Sequence, residues 1–284
     1  MLGALIIVFR EVLEAGLIIG IVLAATRGVH GRGQWITIGI AGGVLGACVI
    51  AGFAGAISET FSGSGQELLN AAVLSTAVVM LMWHNAWMAR HGREMAAELS
   101  KVGLEVTEGK RPLTALAVVV GLAVLREGSE IVLFLYGIIA GGTSGSELLL
   151  GGVLGLAAGA VFTGLTYLGL LAIPSRYIFN VTTVLITLLA AGMAAQAVKF
   201  LDQAGVVTAL GQTLWDTSEW LPEDGVLGTL LHVMIGYSEQ PTAMQVIVYL
   251  GVLVAMALMM RLAAPVRPLP VRSLPDPSKY RPPV

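Results

Sequence analysis

Charged residues are scarce in this chain. Asp, Glu, Lys and Arg make up 12% of its 284 residues while 56% are hydrophobic, and mean hydropathy is +0.84. A soluble domain carries about 25% charged residues, so soluble-enzyme readings fall first and the chain reads as a polytopic membrane protein. Lys and Arg number 16 against 18 acids, which leaves no basic face for a nucleic-acid partner. The single cysteine, Cys48, excludes a disulfide framework, an iron–sulfur site or a zinc-thiolate cluster built within the chain. The histidines, at 30, 84, 91 and 232, lack the clustering that copper or haem oxidation requires. No basic segment precedes the first apolar stretch, and Arg10, Glu11 and Glu14 interrupt it. It reads as a retained first span rather than a secretory signal.

Long apolar runs are what remains. Windows of about 20 residues, enough for a helix to cross a bilayer, place spans near 3–26, 35–57, 68–89, 113–141, 148–173, 177–200 and 243–262. The expected fold class is all-α, with seven transmembrane helices. The apolar stretch Val226 to Ile235 is only ten residues long, which suits a re-entrant or surface helix. Assigning the loops alternately to two sides puts 13 of the 16 basic residues on one side, in the first, third and fifth loops and the tail. The positive-inside rule then sets the amino terminus outside and the carboxyl terminus in the cytoplasm. In the third loop Met95, Leu99, Val102 and Val106 recur at helical spacing among charged neighbours, as in an amphipathic helix lying on the membrane. Pro112 is expected at the first position of span four.

The chain also repeats itself. Arg10-Glu11-Val12-Leu13-Glu14 in span one and Arg126-Glu127-Gly128-Ser129-Glu130 in span four share the pattern R-E-x-x-E, 116 residues apart. Gly42 to Gly46 in span two reads GGVLG, and so does Gly151 to Gly155 in span five. Three spans separate the copies, so spans one and four point in opposite directions, the inverted-repeat plan of many transporters. The expected organisation is a first three-helix repeat (1–90), a cytoplasmic amphipathic connector (91–111) and a second three-helix repeat (112–201). An outer acidic segment (202–242), a C-terminal seventh helix (243–264) and a disordered basic tail (265–284) complete it. The glycines serve close helix packing.

Each R-E-x-x-E motif puts one arginine and two glutamates in mid-span. On insertion scales a charge at mid-bilayer costs about 2.5–3.5 kcal/mol, so these six residues must face the interior and find partners. Glutamates three apart share a helix face, and each arginine reaches the glutamate four residues on. Two arginines against four glutamates leave a formal surplus of two negative charges, which asks for a cation. Carboxylate oxygens suit hard ions such as ferric iron, Mn, Mg or Ca. Helix glue and a proton relay without metal remain alternatives at this point.

These paired motifs in a seven-span chain resemble the oxidase-coupled high-affinity iron permease family, which includes fungal iron permeases and bacterial EfeUOB-type ferrous-iron uptake permeases. The Met82-Trp83, Trp87-Met88, Gly236-Tyr237 and Pro241 stretches carry the resemblance further along the chain. The second motif has Ser129 where that family often has Leu. The resemblance implies a bacterial cytoplasmic (inner) membrane protein that imports iron, oxidised at the outer face by a separate oxidase or handed over by a periplasmic iron-delivery protein. Glu11, Glu14, Glu127 and Glu130 would coordinate the metal, with Arg10 and Arg126 holding them in register. Iron would be the transported substrate, with no bound organic cofactor and no enzymatic activity.

Weaker signals surround this core. His84 and Asn85 are polar residues inside span three, which either line the pathway or hydrogen-bond across helices. A hydroxyl at Ser129 is a further pathway candidate. The segment from Asp202 to Glu239 has six acids and no Lys or Arg, so Glu223, Asp224 and above all Glu239 are candidates for an electrostatic entrance. Met80, Met82, Met88, Met256 and Met260 read as gap fillers. Membrane lipid is the expected surrounding, and a homo-oligomer is compatible with the sequence. Competing readings are a permease for lead or manganese, an intramembrane carboxylate-metal enzyme, and a structural or sensor subunit.

Overall fold

The computed structural model describes residues 1–60, 65–169, 175–223 and 225–263; the tail expected to be disordered lies outside them. Among the described residues the fold is all-helical: α1 (Leu2–Ala25), α2 (Arg32–Thr60), α3 (Gln66–Thr107), α4 (Thr114–Ala140), α5 (Gly145–Tyr167), α6 (Ser175–Gln203), α7 (Val226–Ile235) and α8 (Ala243–Ala263). Five helices are long and apolar enough to cross a membrane: α2, α5, α6, α8 and the first 27 residues of α3. α1 and α4 have 24 and 27 residues, with three ionisable side chains each at their centres. α7 occupies the same ten residues that the sequence marks as too short to cross.

The third span does not end where expected. In place of a helix at 68–89 and a separate connector at 91–111, α3 is one helix of 42 residues, about 63 Å long at 1.5 Å per residue. Its distal half packs on protein. Val106 is buried with Val22, Ile36, Leu116 and Val120, and the Thr107 hydroxyl donates to the Ala25 carbonyl at 3.1 Å. Val106, the last residue of the apolar stripe that suggested a membrane-surface helix, instead finds its partners in the ends of α1, α2 and α4, while Met95 and Leu99 line a cavity. Pro112 precedes α4 by two residues, with Leu113 at the cap.

Two buried clusters fix the direction of the central helices. One gathers Ala4 and Ile7 from the start of α1 with Phe134 and Ile138 from the end of α4, together with Leu74 and Leu81 of α3 and Ile186 and Ala190 of α6. The other joins Val22, near the end of α1, to Leu116 and Val120, near the start of α4. α1 and α4 therefore run antiparallel, and their charged midpoints face each other between two apolar plugs.

Glycines let α2 pack against α4 and α5 against α1. A methyl group on Gly43 would lie 2.7 Å from the Gly121 carbonyl oxygen, 2.7 Å from Val124 Cβ and 2.9 Å from the Leu125 nitrogen. One on Gly155 would lie 2.6 Å from the Leu5 carbonyl oxygen, 3.0 Å from Val8 Cβ and 3.0 Å from the Phe9 nitrogen. Gly121, Val124 and Leu125 each stand 116 residues after Leu5, Val8 and Phe9, the spacing of the two charged motifs. Gly39 and Gly151 likewise meet Ala117 and Met1, again 116 apart. The letter-for-letter GGVLG match is thus out of register: Gly42 meets nothing within 4 Å, whereas a methyl on Gly151 would strike the Met1 carbonyl at 2.2 Å. By contact, Gly43 pairs with Gly155. Both helices are so rich in small residues that an identical five-letter string recurs three residues away from the equivalent position.

Candidate metal centre

The crossing of α1 and α4 brings Arg10, Glu11 and Glu14 against Arg126, Glu127 and Glu130, and α3 adds His84 and Asn85 from the side. Arg10, Glu11, Glu14, His84, Asn85 and Glu127 are all buried. The pairs four residues apart form: Arg10 reaches Glu14 at 3.0 Å and Arg126 reaches Glu130 at 3.1 Å. Each arginine stands farther from the glutamate next to it, 3.7 Å for Glu11 and 3.8 Å for Glu127. His84 bridges the two helices. Its Nδ1 contacts Glu130 Oε2, and its Nε2 lies 3.4 Å from Glu14 Oε2 and 4.0 Å from Glu11 Oε2.

Both oxygens of Glu11 and both of Glu127 are buried without a hydrogen-bond donor, as is Glu14 Oε2. Orphaned buried carboxylate oxygens are costly, and here they converge. One donor atom each from Glu11, His84, Glu127 and Glu130 lie within 4.8 Å of one another. First-row ions hold nitrogen and carboxylate oxygen at about 2.0–2.2 Å, so ligands on opposite sides of such an ion stand at most about 4.4 Å apart. The set needs a few tenths of an ångström of contraction to close on a cation.

The two arginines differ in their surroundings. Arg10 is sealed, with 3% of its side chain exposed, while Arg126 is 33% exposed. The Arg126 guanidinium lies 4.3 Å from the centre of the Trp87 ring and within 3.8 and 3.9 Å of the Met95 and Met88 sulfurs. A cavity of about 340 Å³ reaches the site from the side where α3 extends, lined by Arg10, Glu14, Asn85, Asn180, Thr183 and Met95 among others. At the opposite end the space between Met1, Leu74, Gly137 and His232 is about 60 Å³.

The remaining candidates fall elsewhere. Ser129 does not join the centre, because its hydroxyl donates to the Arg126 carbonyl of its own helix at 2.7 Å. Glu223 and Glu239 help build the segment between α6 and α8: Glu239 Oε2 accepts from the Glu223 backbone N–H at 2.9 Å, and Glu223 Oε1 sits 2.8 Å from His232 Nδ1. That contact with His232 holds the Glu223 carboxyl below its ordinary range, and Glu223 in turn raises the imidazole. Asp216 is also lowered, by the Ser218 hydroxyl and backbone N–H. Asp224 lies outside the described residues. The residues whose placement sequence reasoning missed are His84, which it left undecided between pathway and helix bonding, and the Trp87, Met88 and Met95 cradle of Arg126. The adjacent polar pair His84-Asn85 in an apolar run was the available signal.

Residues 1–269 match the family described as Iron permease FTR1 family. Among curated proteins, the chain is 33% identical over 267 residues to "Ferrous iron permease EfeU" of Shigella sonnei (strain Ss046), covering 91% of this chain and 96% of that protein. It is 31% identical over 249 residues to the protein of the same description from Yersinia pestis, covering 86% and 87%. No solved structure matches. The relatives are named as transporters rather than enzymes, and with several apolar helices the chain is an integral membrane protein. From end to end of its helical body, this chain belongs to the iron permease FTR1 family.

Proposed function

We propose that this protein imports iron across a bacterial cytoplasmic membrane through a site formed by Glu11, Glu14, Glu127 and Glu130. The observation that carries the reading is the set of donor-less carboxylate oxygens where α1 and α4 cross. Four glutamates against two arginines give a formal surplus of two negative charges, which His84, between Glu14 and Glu130, can answer only in part, and an incoming cation answers the rest. Ferric iron, produced at the outer face by a separate oxidase or presented by a periplasmic delivery protein, matches a carboxylate-rich cage.

The matching contacts of Gly43 and Gly155 support two inverted three-helix halves, with α1 and α4 as their first members and α8 as a seventh span. The basic loops then lie in the cytoplasm and the amino terminus outside. In that orientation the wide cavity beside Glu14 opens inward and the acidic segment between α6 and α8 faces outward. Transport alternates the two halves about the glutamates.

The test is uptake of radioactive iron by cells producing the wild type or the single Gln replacements at 11, 14, 127 and 130, at matched protein levels. Loss of uptake in the variants is expected. Normal uptake by all four would overturn the site.

A further inference from the structure

We propose that His84 is a nitrogen ligand to the transported ion and the residue that makes the glutamate site reject Mg²⁺ and Ca²⁺. The proposal rests on the reading of the glutamates as the cargo site and adds a third helix to it.

The geometry separates the two imidazole nitrogens. Nδ1 is taken by Glu130, whose other oxygen holds Arg126. Nε2 is buried without a hydrogen-bond partner and faces Glu14 and Glu11 at 3.4 and 4.0 Å. This is the arrangement by which a metal-ligating histidine is oriented: one ring nitrogen on a carboxylate, the other turned to the ion. A histidine that only pins α3 to α4 needs one nitrogen on Glu130. The other nitrogen of His84 stands among carboxylates of α1, close enough to pair with Glu14 or to serve as a donor to an ion held there. Glu11 and Glu127, whose oxygens lack hydrogen-bond donors on opposite helices, each offer an atom within 4.8 Å of an imidazole nitrogen.

The chemical consequence is selectivity. A cage of carboxylates alone presents only oxygen, which is what Mg²⁺ and Ca²⁺ prefer, while imidazole suits iron and its first-row neighbours. Glutamates therefore supply the charge that draws any small cation, and His84 supplies the donor that alkaline-earth ions do not reward.

Two measurements test this. The first is iron K-edge X-ray absorption on the detergent-purified wild type loaded with one equivalent of iron. Outer-shell scattering from an imidazole ring is expected, and a shell of oxygen alone would overturn the proposal even if every His84 variant failed to fold. The second is iron uptake into proteoliposomes with excess Mg²⁺ or Ca²⁺, comparing wild type, His84→Asp and Glu127→Gln. His84→Asp should lose preference for iron over Mg²⁺ and Ca²⁺ by roughly tenfold or more; unchanged preference would count against the ligand. Glu127→Gln separates the two levels. If it abolishes iron binding while the wild-type spectrum lacks imidazole, only the role of His84 falls. If it and the Gln replacements at 11, 14 and 130 all bind and carry iron normally, the glutamate site itself is wrong.

Discussion

Replacing Gly43 or Gly155 by alanine tests the packing that sets the distance between the two charged helices. The added methyl would lie 2.7 Å from the Gly121 oxygen in one case and 2.6 Å from the Leu5 oxygen in the other. Carbon contacts are optimal at about 3.5–4.0 Å, so each pair of helices must part by close to an ångström. The obstructing atoms are backbone or Cβ, which no rotamer change can move aside. Overpacking of this kind costs about 1–3 kcal/mol, offset in part by the gain of about 0.5–1 kcal/mol when alanine replaces glycine in a helix. The expected net loss is about 1–2 kcal/mol at either position, read as a lower unfolding temperature in detergent, with iron uptake reduced as α4 or α1 shifts. Gly42→Ala and Gly152→Ala are the controls, since neither methyl meets anything within 4 Å; both should be neutral or slightly stabilising. If Gly42→Ala does as much damage as Gly43→Ala, or Gly152→Ala as much as Gly155→Ala, the contact register is wrong and the matching letters were the better guide.

Three further outcomes follow from single contacts. Arg126→Lys keeps the charge but loses the planar stack on Trp87 and should cost about 0.5–2 kcal/mol, measured by thermal unfolding in detergent. Ser129→Ala should leave stability within about 0.5 kcal/mol and leave iron uptake unchanged, because its hydroxyl serves only its own helix. The Glu223–His232 pair should order the segment between α6 and α8 most strongly at mildly acidic pH. The lowered carboxyl contributes fully above its ordinary value of 4.5 and is lost as pH falls through its depressed value. The raised imidazole contributes fully below its ordinary 6.5 and is lost as pH rises through its elevated value. Amide-exchange protection of residues 202–242, taken relative to the intrinsic rate at each pH from 3 to 9, should therefore be highest between about 4.5 and 6.5, and protection that does not vary with pH would count against the pair.

Much of the architecture was readable from the chain because a bilayer imposes a length. Apolar runs of about 20 residues mark helix bodies directly, and the observed α1, α2, α4, α6 and α8 start and stop within a few residues of the expected spans. The pairs Arg10–Glu14 and Arg126–Glu130 were equally legible, since spacing along one helix decides them. What the chain concealed depends on how separate helices are rotated and how far they extend. Nothing local says that His84 turns towards Glu14 and Glu130, or that α3 continues unbroken until Val106 seats against Val22 and Leu116. The acids between α6 and α8 show the same limit. Composition marks Glu223 and Glu239 as candidates for an attracting field, and it does not foretell that they also hold their own segment together, Glu239 on the Glu223 backbone and Glu223 beside His232.

The electrostatics of the centre make one last demand. Glu11 and Glu127 keep their oxygens buried without donors, so in the absence of metal they oppose the fold they sit in. Taking buried ionic groups out of a protein interior is often neutral or stabilising, by about 1–4 kcal/mol where well-packed apolar residues replace them, and here each arginine keeps its closer partner, Glu14 or Glu130. Glu11→Gln combined with Glu127→Gln should accordingly unfold at a higher temperature than the wild type in a chelating buffer, while carrying no iron. Adding iron should reverse the ranking. A ligand that binds only the folded state stabilises it by mass action, which the wild type can exploit and the double variant cannot. If the variant is instead the less stable protein without metal, the glutamates are already satisfied by their neighbours. The centre would then be a structural ion-pair network with no surplus charge to draw a cation.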